Sequence, residues 1–465
     1  MDRRVASQAT GRPEHGLQQL DTPQASSHRH PRPGGGRGVG KVAVIGAGYA
    51  GLAAAVELVA AGVGVDVFEA SRTLGGRARS IEVEGMTLDN GAHILVGAYR
   101  ETLGLMRRVG ADPERLLRRH PLHLEFPGEL RIAAPRLPAP LHLAWALLAA
   151  RGLSLGEKLA AIHFMRAIEA QGFRLPQDIS AAQLLVDHKQ SDRLRHYLWE
   201  PLCVAALNTE MEHASAQVFL NVLRDSLAAD RAASDLLLPA TDFSRLLPEP
   251  AAVWLESRGA RIHRSLRVEA VSRDDAGYAV RADRDYGPYD KVVLAVAPYH
   301  LPKLIEGLPG LEVLRAEVGA FAWEPIVTAY LAYPEHVRLP FPMVGVARGY
   351  AQWLFDRGSL CGQPGLLAAV ISAHGRHEDL GHEDLAARIH GEIARVVPDL
   401  PAPRWTRVIV EKRATFACTP GMHRPATATA LPGLWLAGDY VAGDYPATIE
   451  GAVRSGLAAA RGILG

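Results

Sequence analysis

Cysteine is scarce in this chain of 465 residues, and the three present do not cluster. Cys203, Cys361 and Cys418 lie far apart with no C-x-x-C or zinc spacing. That excludes a disulfide framework and leaves ordinary buried or surface thiols of a reducing compartment. The nineteen histidines are scattered, with no H-E-x-x-H, and no metal site is expected. An excess of either charge is missing too: 51 basic and 50 acidic residues leave +1. Nothing in that balance calls for nucleic acid as a partner. No run of 18 apolar residues occurs, so no spanning helix is expected. Residues 1–38 lack the apolar core of a secretory signal, and a cytoplasmic location is expected. That leader is rich in Pro, Gly, Ser, Gln and Arg and is expected to be disordered. What the chain does have is apolar residues at 48%, enough for a large core spread over two or three domains.

The organising stretch is Lys41-Val-Ala-Val-Ile-Gly-Ala-Gly-Tyr-Ala-Gly51. Val42–Ile45 reads as a buried parallel strand and Leu52–Ala61 as a helix. Between them Gly46, Gly48 and Gly51, with Ala47 and Ala50 alongside, have the G-x-G-x-x-G spacing. The first glycine permits a tight turn, the second lets backbone approach a pyrophosphate, and the third lets helix and strand pack closely. The helix N-terminus adds unpaired N–H groups and partial positive charge. A second apolar run, Val65–Phe68, ends at Glu69 and Ala70, near the offset expected for an acid that binds ribose hydroxyls. The order strand, turn, helix, strand, acid predicts a dinucleotide site and an α/β, Rossmann-like domain.

Further along, Arg72-Thr-Leu-Gly-Gly-Arg-Ala-Arg79 sets arginines around a Gly75-Gly76 turn, where they would neutralise a pyrophosphate. A strand pair over Ile81–Leu88 leads to Asp89-Asn-Gly-Ala-His93, where Gly91 would let backbone pass close to a flat ring. The composition then turns helical to about Asp235. Ser154…Glu157 and Ser180…Gln183 read as capping boxes, with Leu155, Leu159 and Ile162 on the first helix's apolar face, widened by Phe164, Met165 and Ile168. Leu141–Leu148 is apolar almost all round and reads as a buried core helix. The alternative is a membrane-contacting element, given Trp145 and the nearby Arg131, Arg136 and Arg151. Arg261–Val271, Tyr278–Ala282, Lys291–Ala297, Ile326–Leu331 and Leu366–Ile371 read as strands, and Glu383–Val397 as a helix. A last strand breaks at Gly438-Asp439, and Tyr445-Pro-Ala-Thr-Ile449 opens the final helix, so the dinucleotide domain is expected to be discontinuous.

The glycine turn, Glu69 and Arg72…Gly75-Gly76-Arg77 resemble the flavoprotein superfamily of amine oxidases and phytoene-type desaturases. Ala437-Gly-Asp-Tyr…Ile449-Glu-Gly-Ala-Val-Arg-Ser-Gly456 is similar to that superfamily's second flavin motif. Four inner motifs resemble, more narrowly, the bacterial hydroxysqualene dehydroxylases: Asp89–Arg100, Glu200–Thr209 with Ala214–Asp225, Glu411–Pro420 and Ala437–Pro446. The resemblance spans Lys41–Gly465. It implies FAD as cofactor, a long-chain isoprenoid substrate and reductive loss of a hydroxyl. By the same resemblance Gly46, Gly48 and Gly51 cradle the pyrophosphate and Glu69 holds the adenosine ribose. Arg72, Gly76 and Arg77 approach the phosphates, Val268 meets the adenine edge from a strand over Arg267–Val271, and Gly91, Ala92 and His93 approach the flavin. Gly438 and Asp439 hold the ribityl chain or pyrophosphate, and the backbone at Ile449 faces the flavin O2. Ala92 stands where a glutamine is expected, so no polar side chain acts there.

The hydroxyl that leaves such a substrate needs a proton, and His93, Asp444 and Tyr445 are the candidate donors. His93 titrates nearest neutral pH. Rival readings are an oxidative phytoene-type desaturase, an amine oxidase with Tyr440 and Tyr445 walling the flavin, and a flavin-free escort for prenylated proteins. No separate nicotinamide motif names the electron donor. The expected division assigns 39–133, 236–300 and 405–465 to the FAD-binding domain. It assigns 134–235 and 301–404 to a mixed helix-plus-sheet substrate domain, with peripheral contact on the inner membrane face as a secondary expectation.

Overall fold

Five short parallel strands carry the first half of the structure, a computed structural model that describes residues 40–465. The leader expected to be disordered, 1–38, lies outside those residues. Across the sheet the strands run Arg261–His263, Gly64–Phe68, Lys41–Ile45, Lys291–Leu294 and Leu434–Leu436. Every neighbouring pair is parallel, with Val42 opposite both Val65 and Lys291. The chain therefore returns to this sheet from three widely separated stretches. Their apolar, β-branched residues fit strands buried on both faces. The helix Tyr49–Ala60 covers one face and is itself buried from Tyr49 to Val56, because the final helix, Ile449–Leu464, and the helix Pro248–Glu256 pack on it.

The expected single strand over Arg261–Val271 is two strands in different sheets. Arg261–His263 closes the parallel sheet, while Ala270–Asp274 pairs with Gly277–Arg281 and, through it, Asp285–Tyr289 in an antiparallel sheet. Apolar alternation continues across the break, so periodicity alone could not find it. Val268 consequently lies in the stretch between strands and not within one.

The second half rests on an antiparallel sheet ordered Met343–Gly345, Trp353–Asp356, Leu366–Ser372, Trp323–Ala332, Trp405–Phe416. Alternation along Trp323–Ala332 sends Val327, Ala329 and Leu331 toward the helix His382–Ala394, which meets them with Leu385, Ile389 and Ile393. Ile326 and Tyr330 lie on the other face and join the larger core cluster, where Tyr330 OH donates to Asp89 O. That two-sided burial fixes the register, since a one-residue slip would exchange the faces.

Two helical readings are corrected. Ser154 and Glu157 form the expected reciprocal cap, and the helix Leu155–Ala170 buries Phe164 and Ile168 of the expected face together with Ala161, but Leu155 and Leu159 are exposed. Leu141–Leu148 is not a core helix: it buries His142 and Ala146 and exposes Leu141, Trp145 and Leu148. At Ser180 only half of the expected box forms. Ser180 caps Gln183 N, while the Gln183 side chain donates to Asp187.

Candidate active site

One cavity of about 910 Å³ runs from the glycine turn to the antiparallel sheet. That is near the top of the ~300–1,000 Å³ usual for small-molecule pockets. Its first part is backbone. Gly46 sits at φ +104, and a Cβ there would lie 2.4 Å from Ala295 O. At Gly51 a Cβ would lie 1.9 Å from Gly46 O, so the helix can start only with glycine at both places. Gly48 differs: a Cβ there would meet nothing closer than 3.9 Å, and Gly48 lines the cavity. A side chain at Gly48 would fill the cavity itself, the space that a close-fitting phosphate group needs. Gly48 also bridges Gly75, and Gly76 lines the wall beside it, so turn and arginine loop form one rim. Glu69 holds that rim: its two carboxylate oxygens accept from Ala47 N at 2.9 Å and Ser71 N at 2.8 Å.

The arginine loop reaches across to the last strand. Arg77 donates to Asp439 at 2.6 Å and to Ala414 O at 2.6 Å. Burial pulls the Arg77 pKa down, but the Asp439 carboxylate overrides it, and the net displacement is upward. Arg77, Gly438 and Asp439 all line the cavity, as do Ala50, Ala70, Val268, Gly91, Ala92, His93 and Ile449. Three expected contacts stand elsewhere. Arg72 is exposed and outside the wall, where Arg79 takes its place and donates to Ser71 Oγ. Ala47 and Gly51 lie behind the turn and act through its shape.

Asp89 anchors the Gly91 loop. Its carboxylate accepts from Arg357 at 2.8 Å and from Phe243 N at 2.8 Å, and Tyr330 OH donates to its carbonyl at 2.9 Å. The Asp89–Arg357 pair is almost wholly buried and ties this loop to the antiparallel sheet. Asp89 was legible within its sequence motif but its pairing with Arg357 was not, because the two stand 268 residues apart. His93 Nδ1 lies 3.1 Å from Gly91 O, and the ring packs on Phe243. Burial pushes the imidazole below its ordinary pKa, and Arg77 adds to this against the Gly91 contact. A neutral ring that donates from Nδ1 offers an acceptor, not a proton, to the cavity.

Tyr445 and Asp444 also line the cavity, with Leu223 and Leu227. Tyr445 OH donates to Asp225 at 2.7 Å, and Arg224 holds Asp225 by two contacts of 2.6 and 2.8 Å. Arg224 also reaches Asp444 at 3.2 Å. Burial and the neighbouring Asp225 raise the Tyr445 pKa, so the phenol keeps its proton. Burial alone would raise Asp225, but its bonds from Arg224 and Tyr445 bring it below the ordinary carboxylate value. Arg224-Asp225 opens a wide π-type turn, Arg224–Ala228, at the end of the helix Ala216–Leu223. Such turns recur at functional sites. Asp225 escaped the sequence reading, although one resembling motif ends on it and another contains Asp444-Tyr445. Tyr440 is fully buried, packs against Phe321 and lies outside the wall, so the pair of rings expected of an amine oxidase does not form. Much of the remaining wall is apolar, with Leu202, Val218 and Val222 from the helices and Ile326, Met343, Trp353, Phe355 and Val370 from the sheet, but Asn208, Ser372, Glu411 and Thr415 also line it.

The profile of the family described as flavin containing amine oxidoreductase matches residues 49–464. A hydroxysqualene dehydroxylase of Rhodopseudomonas palustris is 34% identical over 90% of this chain and 97% of its own. One from Sinorhizobium fredii is 31% identical over the same shares. A zeta-carotene desaturase of Synechocystis is more distant, at 25% over 91% of this chain and 97% of its own. Among solved structures, an oxidoreductase from Methanosarcina mazei covers 90% of this chain and 99% of its own at TM-score 0.68 and 16% identity. Cyclohexylamine oxidase from Brevibacterium oxydans covers 92% and 99% at TM-score 0.65 and 18% identity. These two share the fold. The open cradle over Gly48, the Arg77–Asp439 pair and the final helix N-terminus at Ile449 suit FAD. The chain belongs to the flavin containing amine oxidoreductase family and is an FAD-dependent oxidoreductase.

Proposed function

We propose that this protein removes the hydroxyl of hydroxysqualene reductively, giving squalene and water. The observation that carries the reading is the change in the cavity wall along its length. Backbone and charge line the part at the glycine turn, many apolar side chains from helices and sheet line another, and the Tyr445 phenol stands in the wall bonded to its carboxylate partner Asp225. A long hydrocarbon with one polar group fits that distribution. The hydroxysqualene dehydroxylases at 34% and 31% identity support it over the more distant carotene desaturase.

Bound reduced flavin supplies the hydride. The chain's own part is to hold the FAD, exclude water and deliver one proton to the departing hydroxyl. Gly46, Gly48, Glu69, Gly76, Arg77, Asp439 and Ile449 hold the cofactor in this reading, with Val268 at the adenine end. Tyr445 is the proton donor, and its proton turns from Asp225 toward the substrate oxygen. The Arg454 guanidinium, 4.2 Å from the ring centroid, stabilises the negative charge that develops on the phenol. His93, neutral and donating to Gly91 O, serves as wall, and Asp444 keeps Arg224 in place. In this division segments 39–133, 236–300 and 405–465 serve the cofactor and 134–235 with 301–404 the substrate. Lipid analysis after incubating the reduced protein with hydroxysqualene tests the reading. Squalene is the expected product. Unchanged hydroxysqualene, with a polyene such as phytoene dehydrogenated by the oxidised protein, would replace this reading with the desaturase one.

A further inference from the structure

The two helices that depart from their expected burial do so together. Leu141, Trp145 and Leu148 stand at i, i+4 and i+7, one stripe of the helix Leu141–Leu148. They are 58, 57 and 48% exposed. On the adjoining helix Leu155 and Leu159 are 67 and 44% exposed, and Leu137 precedes the pair at 38%. Only five other large apolar side chains among the described residues are comparably exposed, and they are scattered over Val186, Val253, Val313, Val410 and Leu464. The helices touch each other, and Lys158 Nζ donates to Leu148 O. Single exposed leucines are ordinary. Six within 23 residues, centred on a tryptophan, are not.

Three arginines flank this ridge. Arg136, Arg151 and Arg166 are exposed and form no ion pair among the described residues. The acid nearest the ridge, Glu157, spends both oxygens on Ser154 and Ser191. An apolar ridge with uncompensated arginines at its rim matches a bilayer whose headgroups are anionic. Leucine and tryptophan enter the acyl boundary, and arginine meets phosphate. No helix among the described residues is long and apolar enough to cross a membrane, so this contact would be a surface one. The ridge also backs onto the cavity. On the hidden side of the first helix, His142 Nε2 lies 3.2 Å from Ser234 Oγ, and Ser234 lines the cavity wall.

We propose that Leu141–Leu159 is a membrane-docking ridge that seats the protein on anionic phospholipid, with the cavity directly behind the lipid contact. The docking itself stands on the exposed side chains and their charges. Only its use as a substrate entrance rests on the proposed lipid substrate. The test is co-sedimentation of the full chain with phosphatidylcholine vesicles, with and without phosphatidylglycerol. Binding is expected to the anionic vesicles and to weaken with salt. The double variant Trp145→Ser, Leu148→Ser should weaken it about tenfold or more. Arg136→Ala and Arg151→Ala should each weaken it roughly fivefold on anionic vesicles and not on neutral ones. All four side chains are on the surface, so retained flavin absorbance verifies that the variants fold. Equal binding by the double variant, or no binding by the natural chain, overturns the proposal. So does a concentration-dependent dimer that the same substitutions dissolve, which would make the occupant a second copy. Because the readout needs no turnover, failure of the hydroxysqualene reading would leave vesicle binding unchanged.

Discussion

The glycine turn and the apolar wall of this cavity are built on different rules. Around the glycine turn the constraint is backbone: a Cβ at Gly51 would sit 1.9 Å from a carbonyl oxygen, and no rearrangement of side chains relieves that. Away from the turn the wall holds a set of apolar side chains from two helices and four strands, each exchangeable for another of similar volume. The first rule tolerates nothing and leaves a fixed spacing in the chain. The second tolerates much and leaves only composition.

The largest effect should follow from Gly51→Val. It should cost more than about 3 kcal/mol and abolish flavin retention, read by thermal unfolding and by absorbance of the purified protein. A variant that still copurifies with flavin would break the contrast at its root. Next comes Tyr445→Phe, which should lower turnover about 100-fold while flavin content and KM hold. A rise in KM with little loss of turnover would assign Tyr445 to packing. Arg77→Ala leaves Asp439 buried beside the cavity without its cation and should cost about 2 kcal/mol, with weaker flavin retention. Val222→Trp fills the apolar wall and should raise KM about tenfold with flavin content unaltered, because volume is all that the position specifies. The smallest effect is one of pH. His93 has its folded pKa lowered by burial, so the unfolded chain binds more protons below ~6.5 and stability falls as pH drops through that window. His93→Gln should flatten part of the slope in unfolding curves between pH 7 and pH 5. An unchanged slope would mean that His93 is charged in the fold.

Legibility in the sequence follows the same division. The strand Lys41–Ile45, the helix after it and the places of Glu69 and Asp439 in the cavity wall were readable because each stands at a short, fixed offset from a glycine or a strand end. The break between His263 and Ala270 was not, since apolar alternation runs through it into another sheet. Arg79 replaces Arg72 for a reason of the same kind: three arginines in one loop differ only in the direction the loop gives them. Asp225 and Tyr445 meet across 220 residues, and nothing local marks the meeting. The helix Leu155–Ala170 offers apolar residues on two faces, and the sequence reading took Leu155 and Leu159 for the inner one. Composition could not say which face would be left outside.

The most direct test of the central claim, one cavity in which FAD and a hydroxylated isoprenoid meet beside Tyr445, is an anaerobic single turnover. The protein is reduced, mixed with hydroxysqualene and followed in the visible spectrum while the lipid is analysed. The account predicts return of the oxidised flavin bands with squalene formed in equal amount, and the same amplitude at a much lower rate in Tyr445→Phe. Flavin that stays reduced with its substrate intact would contradict it.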